Sequence, residues 1–154
     1  TLVRQTSSTH GANGYITTDP GEIAGMLNRM KRKIEAHIDR FSFFEEITEP
    51  GAETMLLTYG VTARAAKAAC NALKAEGKPV SLLILKTLWP VPENLIRQKT
   101  ADVRRVVVAE MNLGQYVREI ERILKDKKVE FLGQMDGRLI TPGRIKEVLN
   151  AQSA

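Results

Sequence analysis

Arg105-Val-Val-Val-Ala-Glu110-Met-Asn-Leu-Gly-Gln115 is the stretch on which the fold turns. Val106-Val-Val-Ala109 is a short apolar run rich in β-branched residues and reads as a buried strand over 105–109. Tyr116, Val117, Ile120, Ile123 and Leu124 then recur as one face of a helix, expected over 113–126. Glu110, Asn112, Gly114 and Gln115 therefore fall at the carboxyl end of a strand, where open α/β sheets carry ligands or partners. Asn112 followed three residues later by Gln115 is also a capping-box pattern. The loop reads as a helix cap, as a site, or as both.

The same alternation extends to either side. Thr54–Tyr59 reads as a strand ending at Gly60, and Thr62 is placed to cap an alanine-rich helix over 63–76. Val80–Leu85 is continuously apolar, as expected of a parallel strand buried on both faces. Pro90-Val-Pro92-Glu93 starts a short helix with Pro92 near its first turn. Val129–Leu132 is a further strand, Asp136-Gly137 a turn, and Thr141-Pro142 the start of a last helix. Strands alternating with helices predict a three-layer α/β fold: a mostly parallel sheet with helices on both faces. Right-handed crossovers would bring Tyr59-Gly60, Thr87 and Glu110–Gln115 to one edge.

Residues before 52 read differently. Asp19-Pro20-Gly21-Glu22 is a strong helix start. Ile23, Met26, Leu27, Met30, Ile34, Ile38 and Phe41 then recur at helical spacing, predicting one long amphipathic helix with Arg29, Lys31, Arg32 and Lys33 on its other faces. Such a stripe must be covered by an absent domain or by self-association. Glu45-Glu-Ile-Thr-Glu-Pro50-Gly51 reads as an acidic linker, so the compact domain is expected over 52–154, with helix and linker over 17–51. His10-Gly-Ala-Asn-Gly14-Tyr15 has no clear period. With its start at Thr1, the chain is expected to be part of a longer polypeptide.

Composition narrows the chemistry. The chain has 154 residues, 43% of them apolar and 27% charged, enough for one α/β domain with an ordinary core. Residues 1–50 hold 6 Lys/Arg against 7 Asp/Glu, and residues 51–154 hold 17 against 11, giving a net charge of +5. The cations are scattered and only 5% of residues are aromatic, which favours a solvated surface or an acidic protein partner over nucleic acid. No apolar run approaches the roughly 20 residues that span a bilayer, so no membrane contact is expected. The residues from Thr1 show no apolar h-region, so no export signal is expected and the cytoplasm is the expected compartment. Cys70 is the single cysteine, which excludes an internal disulfide and any four-cysteine cluster within this chain. The Gly-x-Gly-x-x-Gly, Walker and Gly-x-Ser-x-Gly patterns are missing, and neither His10 nor His37 belongs to a metal-ligand spacing. From the residues alone the chain reads as a non-catalytic α/β module.

Several motifs occur together in a specific order. His10-Gly-Ala-Asn-Gly14-Tyr15-x-Thr17-x-Asp19-Pro20, the basic helix, Tyr59-Gly60, Thr87-Leu88-x-Pro90-x-Pro92, Glu110-x-Asn112-x-Gly114-Gln115 and Asp136-Gly137-Arg-x-Ile140-Thr141-Pro142 resemble the α subunit of the 2-oxoacid:ferredoxin oxidoreductases, the 2-oxoglutarate type above all. The resemblance implies a transketolase C-terminal-like domain over 52–154, preceded over 1–16 by the end of a thiamine-binding-type domain. It also implies a β subunit as partner, with thiamine diphosphate, magnesium and an iron–sulfur cluster held elsewhere in the complex, coenzyme A as co-substrate, and ferredoxin reached through the complex. Family members usually carry acids where this chain has Gly11 and Ala12. His10, Gly14, Tyr15, Tyr59, Gly60, Glu110, Asn112, Gly114 and Gln115 are thus expected at an interface or structural loop, none of them catalytic.

Overall fold

A computed structural model describes residues 8–151 and divides the chain into two units, one up to Arg40 and one from Phe41 onward. In the first, His10 bridges Ile16 across a tight turn in which Gly14 takes a φ of +78°. Helix α1 (Pro20–Glu35) follows, and the Asp19 carboxylate accepts the Glu22 N–H at 2.8 Å, as the sequence predicts. The expected single helix does not continue to Phe41. At Ala36-His37 the hydrogen bonding tightens to i→i−3, His37 N–H to Ile34 carbonyl, and the chain resumes as α2 (Ile38–Phe41). No side chain of α1 is buried.

The second unit is a five-stranded sheet in the order β1-β3-β2-β4-β5. Its strands are β1 (Phe44–Ile47), β2 (Thr54–Tyr59), β3 (Ser81–Leu85), β4 (Arg105–Glu110) and β5 (Lys128–Gly133). All pairings are parallel except that of β1, which runs antiparallel along β3. The Glu45–Gly51 segment is thus not wholly a linker, and the sheet begins before residue 52. Glu45-Glu46 has low strand propensity, and the ladder with β3 supplies what the sequence lacks. The two acids also guard the sheet edge: Glu45 pairs with Lys67, and Glu46 with Lys99.

Side chains alternate across each parallel strand. Met55, Leu57, Leu83, Leu85, Val106 and Val108 face α4 (Glu93–Lys99) and α5 (Gln115–Ile123). Leu56, Leu82, Ile84, Val107 and Ala109 face α3 (Thr62–Ala75) and α6 (Pro142–Asn150), where Ala66, Ala69 and Cys70 allow close approach. The result is the expected three layers. Thr62 is not the cap of α3. It is the buried first helical residue, preceded by Val61, which has no side-chain capping bond. Thr141 does cap α6, accepting the Arg144 N–H.

Arg105 ties the layers together. Its guanidinium donates to the Val148 and Leu149 carbonyls at 2.9 and 3.1 Å, closing the end of α6, and to Glu130 at 2.6 Å. Arg105→Ala should lower stability by about 2–3 kcal/mol in urea unfolding, because two helix-end carbonyls and a half-buried carboxylate lose a donor together. Arg105→Lys should recover less than half, since an ammonium lacks the planar fork. Equal stability of the Lys variant and the wild type would count against this account.

Candidate functional site

The strand order reverses between β2 and β4: the chain leaves β2 for β3 on one side and returns across it to β4 on the other. The crevice at the carboxyl ends of these two strands is where open sheets of this kind place ligands. Here it is filled by the chain's own side chains. Glu110, the last residue of β4, is 1% exposed. Its Oε2 accepts the Tyr59 hydroxyl at 2.7 Å, the Asn112 Nδ2 at 2.7 Å and the Tyr116 N–H at 3.1 Å. Its Oε1 accepts the Val117 N–H at 2.9 Å. Every partner is a donor, which suits an acceptor-only carboxylate.

Asn112 completes the arrangement. Its amide also donates to the Tyr59 oxygen at 2.7 Å, while its Oδ1 accepts the Gly114 and Gln115 N–H groups at 2.8 and 3.1 Å. Gln115 reaches back to the Leu113 N–H at 3.1 Å. The Asn112–Gln115 pair therefore does satisfy amides at the helix start, but two residues upstream of the usual box: Gly114, at φ +86°, is the N-cap and Gln115 the first helical residue. The next two amides of α5 go to Glu110. An anionic side chain at a helix N-terminus gains from the peptide dipoles, so β4 supplies the counter-charge of its own following helix. A Glu at a strand end six residues before a helix amide is the sequence signal; the buried geometry that uses it is not visible in spacing.

Burial, together with the neighbouring Glu110, pushes the Tyr59 hydroxyl well above its ordinary value near 10, and burial does the same to Tyr116. The two rings meet edge to face at 5.5 Å. Folding thus holds both phenols protonated. Below about pH 10 these two phenols are equally protonated in the folded and unfolded chains. Above it the unfolded chain loses protons first, and stability falls. Phenolate absorbance from Tyr59 and Tyr116 should therefore rise together with alkaline unfolding followed by circular dichroism. Ionisation of both while the fold persists would refute this.

Of the residues predicted to converge, Tyr59 meets Glu110 and Asn112, and Gly114 and Gln115 are held to the same loop by Asn112; Gly60 instead accepts the Ala63 N–H at the start of α3. Thr87 does not join them: its hydroxyl donates to the Phe41 carbonyl and accepts the Phe43 N–H at 3.1 Å, fastening the chain entering β1. His10, Gly14 and Tyr15 form the turn of the first unit. Spacing gave no sign of Phe131, whose ring lies over Gly114 and Gly133. Cys70 is buried, and desolvation, with Glu49 adding, pushes its thiol up to about 11, so it is an unreactive packing residue. At the opposite end of the strands an open groove of about 640 Å³ includes Glu46, Glu49, Glu53, Asp102 and Lys99 in its lining. Two of its acids are committed, Glu46 to Lys99 and Glu49 to Lys74.

Residues 52–145 match the family described as pyruvate:ferredoxin oxidoreductase core domain II. The chain belongs to that family. Across 151 residues it is 31% identical to the 2-oxoglutarate synthase subunit KorA of Archaeoglobus fulgidus, spanning 96% of this chain and 41% of that subunit. It is 29% identical over 142 residues to the corresponding subunit of Methanothermobacter marburgensis, spanning 91% of this chain and 38% of that one. The chain thus spans about two-fifths of the length of these relatives. The solved 2-oxoglutarate:ferredoxin oxidoreductase from Magnetococcus marinus, with 2-oxoglutarate, coenzyme A and succinyl-CoA bound, superposes with a TM-score of 0.80 at 26% identity. That match covers 94% of this chain and 25% of the other. A split-gene transketolase shares the fold, with a TM-score of 0.58 at 18% identity over 68% of this chain and 40% of that one.

Members of a ferredoxin oxidoreductase family raise the question of cofactor sites on this core domain II. The donor set at the switch point does not fit a diphosphate, because the first amides of α5 are already bonded to Asn112 and Glu110. Among the described residues no group of three or more His, Cys, Asp or Glu could hold a metal ion. Among the described residues no helix is long and apolar enough to cross a membrane.

Proposed function

We propose that this chain provides the core domain II part of the α subunit of a 2-oxoacid:ferredoxin oxidoreductase acting on 2-oxoglutarate. In that reaction the 2-oxoacid and coenzyme A yield succinyl-CoA, carbon dioxide and a proton, and two electrons pass to ferredoxin. Thiamine diphosphate, magnesium and the iron–sulfur cluster sit outside this chain, held by the β subunit and other parts of the complex. The domain's own work is to hold a subunit wall in place, and the Glu110 hub fixes the loop that forms its rim. The observation that carries the reading is the superposition on the Magnetococcus enzyme over 94% of the chain.

Reconstitution tests it. The full subunit containing this chain, combined with the thiamine-carrying β subunit, should reduce ferredoxin in the presence of 2-oxoglutarate and coenzyme A. The isolated chain should show no micromolar binding of thiamine diphosphate with magnesium by calorimetry. Tight cofactor binding by the chain alone would count against this reading, and failure of the pair to form would favour a stand-alone interaction module instead.

A further inference from the structure

From Phe41 onward, seven large apolar side chains stay exposed among the described residues; six lie on the connections at one end of the parallel strands, and the seventh, Phe131, lies within β5. Each carboxyl-end connection contributes. Phe43 enters β1, Val61 follows β2, Trp89 follows β3, Leu113 follows β4, and Met135 and Leu139 follow β5. Trp89 and Leu113 are 78% and 73% exposed, each on a bend between core elements. The amino-end connections carry charged and small residues, among them Glu53, Lys78, Asp102, Arg104 and Lys125. Scattered exposed apolar residues need no explanation, but the gathering of six of the seven at one end of a domain marks a contact surface.

The charges at that end point to the occupant. Arg64 in the first turn of α3, Arg118 in the first turn of α5 and Arg138 before α6 are in none of the ion pairs of the described residues. The acids there are engaged: Glu93 with Arg122 at 2.7 Å, and Asp136 with the Gln134 amide and the Arg138 N–H, both at 3.0 Å. An apolar patch ringed by unpaired guanidinium groups complements a protein surface that is apolar at its centre and carboxylate at its rim. A second copy of the chain would set like charges against one another around a two-fold axis. Nor is the loop rim a ligand mouth, since the Glu110 hub occupies the crevice beneath it.

We infer that the carboxyl-end rim of the sheet is the docking surface for the thiamine-carrying partner subunit, which meets it with an apolar patch bordered by Asp and Glu. This rests on the subunit reading above. Interferometry of the full chain against the purified partner subunit tests both separately. Arg64→Glu with Arg138→Glu should raise Kd by at least about tenfold, in line with charge reversal at a complementary interface. Val61→Ser, Met135→Ser and Leu139→Ser combined should do the same. Arg104→Glu with Lys125→Glu, an equal charge change at the opposite end, should stay within about twofold of wild type, as expected of charges outside the contact. Far-UV circular dichroism and melting temperature confirm that each variant folds; all the substituted side chains are exposed. If wild type and every variant bind alike, the docking surface is overturned and the subunit reading stands. If wild type does not bind, the subunit reading falls and takes this surface with it. Self-association in sedimentation that the rim variants abolish, without partner binding, assigns the surface to a second copy and also overturns the inference.

Discussion

Glu110→Ala should lower unfolding stability by about 3–4 kcal/mol, the largest single effect expected in the chain outside its apolar core. The substitution strands four donors at once, the Tyr59 hydroxyl, the Asn112 amide and the Tyr116 and Val117 N–H groups, in a place water barely reaches. For a domain of this size the melting temperature should fall by about 10 °C or more. Glu110→Gln keeps one acceptor but turns a donor toward donors, so about 1.5–3 kcal/mol is expected. The hole left by alanine is lined with converging donors at a helix N-terminus. Acetate or formate at about 100 mM should therefore raise the melting temperature of Glu110→Ala and leave wild type unchanged, by binding the folded state alone. An alanine variant within about 1 kcal/mol of wild type, the floor for a buried unsatisfied group, would show that the hub does not hold the loop. In the reconstituted complex, Glu110→Gln should reduce the assembled fraction more than turnover per assembled unit. Intact assembly with turnover down by the roughly 10²–10⁴ of a lost general acid or base would make Glu110 catalytic.

Gly133→Val is expected to lower stability by about 2–3 kcal/mol through overpacking. A Cβ at Gly133 would lie 2.1 Å from the Phe131 Cζ and 3.0 Å from the Asn112 carbonyl oxygen. The ring can swing away, but it then uncovers Gly114 and the backbone of the Glu110–Gln115 loop. The carbonyl cannot move without pulling on Asn112, which holds Tyr59, Glu110 and the start of α5. A double-mutant cycle separates the two contributions. In a Phe131→Ala background the valine should be tolerated better by about 1 kcal/mol, within the usual range for residues in contact. Additive effects would mean that the ring and the glycine are not coupled.

Most of the sheet is legible in the sequence, and for identifiable reasons. Val106–Ala109 and Leu82–Leu85 read as buried strands because they are short, bounded by turn signals and offer no polar face to water. Asp19 and Thr141 cap their helices because the next turn needs an acceptor and nothing else nearby supplies one. The elements that escaped are those whose stability is borrowed. Strand β1 contains Glu45-Glu46, and only the open edge of β3, with Lys67 and Lys99 at hand, makes a strand of it. The break at Ala36-His37 lies in a segment with no Gly or Pro to announce it, so helical periodicity runs on past the point where the hydrogen bonds change.

For the candidate site the division is sharper. By itself the sequence determined that Glu110, Asn112 and Gln115 sit at a strand's carboxyl end before a helix, and that Tyr59-Gly60 ends another strand. It also excluded a cluster or disulfide built from Cys70 alone. It left open whether the loop caps or binds, because spacing along one segment carries no information about which donors arrive from another. Only the tertiary structure set β2 beside β4, so that a hydroxyl 51 residues away lies 2.7 Å from Glu110 and the crevice is closed by the chain itself. The same folding gathered Phe43, Val61, Trp89, Leu113, Met135 and Leu139 at one end. Each is unremarkable in its own segment, and they become a surface only because parallel strands deliver all their following loops to the same edge.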